Sequence, residues 1–168
     1  MLLHLDARHR EPLADLLRST PEFSLEDQAV ALELIDDTLA ARDTYRFLVD
    51  VSDAQNATDA TDATSAPSVR GYICFGATPM TRGTFDLYWI AVHPAHKGHG
   101  VGRALVAGME TELTREGARL VRVETAGTSE YAATRAFYDR LGFEVVARIR
   151  DFYWPGNDLV IYGRYFRD

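Results

Sequence analysis

The sequence predicts a single-domain protein of the mixed α/β class, in which one sheet is flanked by helices. The chain has 168 residues, of which 46% are hydrophobic, so it can form a core without other chains. Apolar residues recur at helical spacing in four segments and in short strand-like runs in six others. Strands and helices alternate beyond residue 68, which is typical of sheets with crossover helices.

The first part of the chain predicts two helices and a strand. Residues 7–20 form an amphipathic helix in which three leucines share one face: Leu13, Leu16 and Leu17. Ser24 followed by Asp27 resembles a capping box and predicts the start of a second helix. That helix is expected to bury Val30, Leu34, Ile35 and Leu39 or residues near them. Residues 45–51 predict a strand.

Residues 53–67 are low in complexity and contain three consecutive near-repeats of Asn/Asp-Ala-Thr. A segment without large apolar residues cannot bury surface, so we expect a mobile loop within the single domain 1–168.

The remainder predicts five strands and two helices. The strands are expected at residues 69–76, 85–92, 120–124, 143–150 and 159–166, and the helices at 101–116 and 130–141. The second of these strands is almost wholly apolar and is therefore expected near the sheet centre. The last two strands are joined by a turn at Pro155-Gly156-Asn157-Asp158.

Composition excludes several classes of function. Twenty-five acidic against 18 basic residues give a formal net charge of −7, which argues against nucleic acid as a partner. The single cysteine, Cys74, excludes a disulfide framework and is expected to be a core residue. No apolar run approaches the roughly 20 residues of a membrane helix, and no signal peptide is apparent, so we expect a cytoplasmic protein with no membrane partner.

The segment most informative about chemistry is His93-Pro94-Ala95-His96-Lys97-Gly98-His99-Gly100-Val101-Gly102-Arg103. Its three alternating glycines remove every Cβ from one side of a turn that enters a helix, so backbone N–H groups can converge on an anion. Three basic side chains add to this: Lys97, His99 and Arg103. The segment therefore predicts a pyrophosphate-binding loop, hereafter the glycine loop (residues 97–103).

Other interpretations of this segment fit less well. A dinucleotide-binding fingerprint requires glycine at the position of Arg103, and a P-loop requires its lysine after the glycines. His93, His96 and His99 are spaced by three residues, but no carboxylate or cysteine accompanies them, so no metal is expected.

The glycine loop resembles the acyl-CoA loop of the GNAT N-acetyltransferase superfamily, Gln/Arg-x-x-Gly-x-Gly/Ala, with Lys97 replacing the usual first residue. As in that family, it follows an apolar strand and His93-Pro94. A second family element is a helix containing Tyr138 and followed by Gly142-Phe143. Two positions depart from the family, since Tyr131 replaces a common asparagine and Thr134 a common alanine. The resemblance covers residues 68–166.

The resemblance implies the GNAT acyl-CoA N-acyltransferase fold, a central mixed and mostly antiparallel sheet with flanking helices. It implies acetyl-CoA as co-substrate, with no metal, and a small-molecule or peptide amine as acceptor. The residues expected to contact acetyl-CoA are Ile90, Ala91, Val92, Lys97, Gly98, His99, Gly100, Val101, Gly102, Arg103, Ala104, Tyr131, Phe137 and Tyr138.

By the same resemblance, the acetyl group passes directly to the amine through a tetrahedral intermediate. The N–H of Val92, at a bulge in the central strand, stabilises the oxyanion, and Tyr138 protonates the thiolate. The general base is left open between Asp86, Glu124 and a chain of water molecules.

Three aromatic residues are candidates for the acceptor pocket: Tyr88, Tyr153 and Trp154. Aromatic packing and contact with a partner, including a second copy in a homodimer, are alternatives for the last two. The alternative for the whole chain is a catalytically silent acyl-CoA-binding regulatory module.

Overall fold

The computed structural model describes residues 1–52 and 68–166, so the predicted loop at 53–67 lies outside the described residues. The chain divides into two compact units. Unit 1 comprises Met1–Phe75 and Trp89–Thr111, and unit 2 comprises Gly76–Tyr88 and Glu112–Asp168. No helix in the described part of the chain is long and apolar enough to cross a membrane.

The described residues form seven strands and four helices. The strands are β1 (Leu2–His4), β2 (Arg46–Val51), β3 (Val69–Ala77), β4 (Thr84–Val92), β5 (Leu120–Ala126), β6 (Glu144–Trp154) and β7 (Asn157–Tyr165). The helices are α1 (Arg10–Ser19), α2 (Leu25–Leu39), α3 (Val101–Arg115) and α4 (Ala132–Arg140).

The strands lie in the order β1-β2-β3-β4-β5-β7-β6, which places the apolar β4 at the centre as predicted. β4 and β5 are parallel, with Asp86 opposite Arg122, and they are joined by α3. The pairs β1–β2, β2–β3, β5–β7 and β6–β7 are antiparallel. The mixed α/β class predicted from the sequence is therefore confirmed.

Two predictions about strands were incomplete. The sequence did not indicate β1, whose three residues are too few to show an alternating pattern and are held by pairing with β2, Leu3 opposite Val49. The predicted four-residue turn at 155–158 is shorter, because Asn157 already pairs with Trp154 and Asp158 lies in β7.

Helices α1 and α2 contribute to the core of unit 1. Leu13, Leu16 and Leu17 are buried, as predicted for α1. In α2 the buried residues are Ala31 and Ile35, four residues apart, whereas Leu34 and Leu39 are partly buried. The prediction that Val30 is buried was wrong: its side chain is 43% exposed, because the buried face is centred one residue further along.

The predicted capping box of α2 is confirmed. The backbone N–H of Asp27 donates to Ser24 Oγ at 3.1 Å, and the N–H of Ser24 donates to Asp27 Oδ2 at 2.9 Å. Each side chain thus satisfies a backbone donor that the first turn leaves without a helical partner.

Gly71 permits a close approach within unit 1. A Cβ built on this residue would lie 2.7 Å from the carbonyl oxygen of Ala91 and 2.9 Å from Val101 Cγ1. Both distances are shorter than van der Waals contact, so only glycine fits here. The missing side chain on β3 thereby fixes the positions of the end of β4 and the first residue of α3.

We expect Gly71→Ala to lower the free energy of unfolding by about 1–3 kcal/mol, the usual cost of overpacking a core. A glycine-to-alanine change in open space stabilises the folded protein, because it reduces the conformational entropy of the unfolded chain. The sign of the change in the free energy of unfolding therefore tests whether Gly71 makes this close contact. Urea denaturation followed by circular dichroism provides the measurement, and an unchanged or increased stability would contradict the close approach.

Candidate functional site

The glycine loop lies in unit 1, between the end of β4 and the start of α3. A short 3-10 turn at Pro94–His96 precedes it. Gly98 and Gly100 both have a φ of +80°, a conformation that other residues rarely adopt. Gly102 differs, because it lies in the first turn of α3. Two of the three glycines are therefore required by backbone conformation, rather than all three.

The surface of this loop is open. A Cβ built on Gly98 or on Gly100 would meet no atom within 4 Å. The first intrahelical bond of α3 runs from the N–H of Ala104 to the carbonyl of Gly100 at 3.0 Å. The N–H groups before Ala104 therefore have no acceptor within the helix, and the positive end of the helix dipole lies with them. This arrangement can bind an anion through backbone donors.

The lysine of the glycine loop has a partner that the sequence did not indicate. Lys97 Nζ donates to Glu22 Oε1, on the segment that leads into α2, at 2.5 Å. This hydrogen bond lowers the pKa of Glu22, although burial opposes it. The two residues are 75 positions apart, and no local pattern could have paired them.

The histidines beside the loop do not form a metal centre. His93 Nδ1 accepts from the N–H of Ala95 at 3.2 Å and so caps the 3-10 turn. Burial lowers the pKa of His96, and the neighbouring His93 and Arg70 lower it further. Among residues 1–52 and 68–166, no group of His, Cys, Asp or Glu side chains could hold a metal ion.

The remaining residues of unit 1 that are expected to contact acetyl-CoA lie on either side of the loop glycines. Ile90, Ala91 and Val92 form the last residues of β4, with Ala91 buried. Arg103 and Ala104 are exposed in the first turn of α3, which begins at Val101.

Cys74 is fully buried in β3, and burial raises the pKa of its thiol, so the prediction that it is a core residue is confirmed.

Tyr138 occupies unit 2, on α4, and is only 3% exposed. Its ring centroid lies 5.5 Å from that of Phe143, 5.7 Å from that of Tyr162 and 5.4 Å from that of Phe137. Burial raises the pKa of the Tyr138 hydroxyl. The phenol therefore keeps its proton at neutral pH and can act as a hydrogen-bond donor.

The two carboxylates considered as bases also lie in unit 2, and they differ in environment. Asp86 is 7% exposed and accepts from Thr78 Oγ1 at 2.8 Å and from Arg122 Nε at 2.6 Å. Glu124 has a more exposed side chain and accepts from Arg122 Nη1 at 2.9 Å. The contacts of Asp86 indicate a structural role, whereas Glu124 is accessible to a ligand. The sequence analysis did not identify Arg122 or Thr78.

Aromatic residues lie near Glu124 and Arg122. Burial raises the pKa of Tyr153, and the nearby Glu124 and Tyr131 raise it further. Tyr153 in turn contacts Phe152 and Trp154 along β6, and Trp154 is 59% exposed. Tyr88 ends the unit 2 part of β4 and raises the pKa of Arg122, after the larger effect of Asp86. Unit 2 thus places Glu124 and Arg122 among the candidate pocket residues.

Comparison with known proteins identifies the family. The family model of the acetyltransferase (GNAT) domain matches residues 61–145, half of the chain. The chain belongs to the GNAT family. A GNAT-family structure from Desulfovibrio desulfuricans is 35% identical and superposes with a TM-score of 0.85 over 98% of this chain and 99% of its own. The GNAT fold predicted from the sequence is therefore confirmed.

Two other similar proteins match this chain over a shorter segment or at lower sequence identity. The [ribosomal protein bS18]-alanine N-acetyltransferase of Escherichia coli is 34% identical over 84 residues, 50% of this chain and 55% of that protein. This chain thus matches about half the length of its curated relatives. A Salmonella typhimurium structure with acetyl-CoA superposes with a TM-score of 0.68 at 21% identity, over 100% of this chain and 94% of its own, and shows the fold alone.

Proposed function

We propose that this GNAT chain is an acetyl-CoA-dependent N-acetyltransferase. The observation that carries the proposal is the glycine loop, in which Gly98 and Gly100 adopt a left-handed conformation with open space where their side chains would be. A pyrophosphate can approach these backbone atoms closely, and the first N–H groups of α3 can donate to it. Relatives solved with acetyl-CoA or coenzyme A are consistent with this ligand.

Acetyl-CoA supplies the thioester, and the protein has three tasks in the transfer. The amine nitrogen attacks the thioester carbonyl carbon, the carbon–sulfur bond breaks, and the amine loses a proton. We assign stabilisation of the developing oxyanion to the backbone N–H of Val92, an interaction that is typically worth about 3 kcal/mol. The other two tasks concern the departing thiolate and the proton of the amine.

Tyr138 is assigned to the departing thiolate. Because burial raises the pKa of its hydroxyl, the phenol stays neutral and donates a hydrogen bond to sulfur as negative charge develops there. Its ring packs against Phe143 and Tyr162, which restrict the direction of the hydroxyl. No covalent enzyme intermediate is required, and the buried Cys74 is unsuited to form one.

The acceptor is proposed to be a primary amine. The Escherichia coli relative acetylates an alanine of a ribosomal protein, and a structural neighbour acts on aminoglycosides. Both the peptide and the small-molecule classes therefore belong in a first screen, together with polyamines and amino acids. Glu124 is the more accessible of the two carboxylates that could receive the proton of the amine, directly or through water.

We expect Gly100→Asp to weaken acetyl-CoA binding at least tenfold. It forces an L-residue into a left-handed position and puts a carboxylate where the pyrophosphate would lie. Isothermal titration calorimetry measures the affinity. Gly117→Asp is the matched control, because Gly117 also has a positive φ and open space around it. Equal affinities for Gly100→Asp and wild type would refute the assignment of the loop.

We expect Tyr138→Phe to lower kcat by well over tenfold and to leave acetyl-CoA affinity nearly unchanged. Phenylalanine keeps the ring contacts and removes only the donor. Tyr162→Phe, in the same aromatic cluster, is the control and should change kcat by less than about twofold. Rates are followed by thiol release. If Tyr138→Phe turned over at the wild-type rate, the tyrosine would have no role at the thiolate.

A further inference from the structure

Four side chains of unit 2 are linked by hydrogen bonds, and only Asp86 among them is buried. Thr78 Oγ1 donates to Asp86 Oδ2, Arg122 Nε donates to Asp86 Oδ1, and Arg122 Nη1 donates to Glu124 Oε1. The distances are 2.8, 2.6 and 2.9 Å respectively. Arg122 is the central member, because its guanidinium contacts both carboxylates.

Exposure increases from Asp86 through Arg122 to Glu124. The side chain of Asp86 is 10% exposed, that of Arg122 is 36% exposed and that of Glu124 is 43% exposed. Asp86 and Arg122 are also directly opposite in the parallel β4–β5 register, so the backbone fixes their separation. One end of this linked group is thus anchored, and the other end is presented to a ligand.

The geometry of arginine allows one side chain to bind both Asp86 and Glu124. Its planar guanidinium donates in fixed directions and keeps its charge at all physiological pH values. Arg122 donates through Nε to Asp86 and through Nη1 to Oε1 of Glu124, so the second oxygen, Oε2, receives no hydrogen bond from Arg122. A lysine could not hold both carboxylates through two separate nitrogens in this way.

The charge of this cluster indicates which kind of ligand it can attract. Two carboxylates and one guanidinium leave the cluster with a formal charge of −1. The neighbouring Tyr153 and Tyr131 add aromatic surface and hydroxyl groups, but no positive charge. A cationic amine is attracted to such a surface, whereas an anionic one is repelled.

We propose, on the basis of the proposed function, that Arg122 is a positioning residue for the acceptor. It holds Glu124 so that Oε2 accepts a hydrogen bond from the ammonium group of a cationic acceptor amine. Asp86 and Thr78 hold Arg122 and do not contact the acceptor. Arg122 thus acts on acceptor binding only through Glu124.

The test uses the purified 168-residue chain and steady-state thiol release. The acceptor is whichever of spermidine, kanamycin and a peptide with N-terminal alanine the wild type acetylates fastest. Arg122→Gln should raise KM for this amine about tenfold or more, as expected for loss of a charge-assisted contact. Its acetyl-CoA affinity should stay within about threefold of wild type.

A double-mutant cycle separates positioning from general destabilisation. If Arg122 acts through Glu124, Arg122→Gln combined with Glu124→Gln should have the same KM as Glu124→Gln alone. Arg122→Lys keeps a charge beside the buried Asp86 and so protects folding, yet it should still raise KM. Arg148→Gln, which removes a comparable ion pair with Asp158 in the same unit, is the matched control.

The outcomes are distinguishable. Wild-type KM values in both Arg122 variants, or effects of the Arg122 and Glu124 changes that multiply, would overturn the positioning role while leaving the enzyme proposal intact. Absence of thiol release by the wild type with every amine would contradict the proposed function, and this inference with it.

Discussion

Binding an anion to a protein of net charge −7 requires donors that outweigh a repulsive overall field. The chain meets this constraint with backbone geometry more than with side-chain charge. Gly98 and Gly100 turn the backbone into the start of α3, where the first N–H groups have no acceptor within the helix and the helix dipole adds positive potential. Lys97, the only lysine in the sequence, is already paired with Glu22. In the proposed function, local amides therefore provide most of the donors to the pyrophosphate.

The position of these amides depends on packing behind them. Gly71 on β3 lets the Ala91 carbonyl and the Val101 side chain approach within distances that a Cβ would not tolerate. The end of β4, where Ala91 belongs to the core that buries α1 and α2, and the start of α3 therefore both pack closely against β3. The chemistry assigned to unit 2 depends on a different device, a buried aspartate that fixes an arginine, which in turn holds an exposed glutamate. In both units the groups offered to ligands are held by buried neighbours.

The sequence was informative where the determinants are local. The capping box at Ser24 and Asp27, the leucine face of α1 and the glycine loop each involve residues within a few positions of one another, so short-range pattern predicts them. It was uninformative where contacts are distant in the chain. Glu22 meets Lys97 across 75 positions and Asp86 meets Arg122 across 36, and β1 exists only because β2 pairs with it. The error at Val30 has a similar origin, because several registers of α2 look amphipathic and tertiary packing selects one.

The central claim is that the glycine loop binds the pyrophosphate of acetyl-CoA. Calorimetric titration of the wild type with acetyl-CoA, acetyl-dephospho-CoA and S-acetylpantetheine tests it most directly, because only the last lacks the pyrophosphate. We predict that acetyl-dephospho-CoA keeps most of the affinity and that S-acetylpantetheine binds more than tenfold more weakly, the loss expected when charge-assisted contacts are removed. Equal affinity for S-acetylpantetheine and acetyl-CoA would contradict the account, because binding would then not involve the loop.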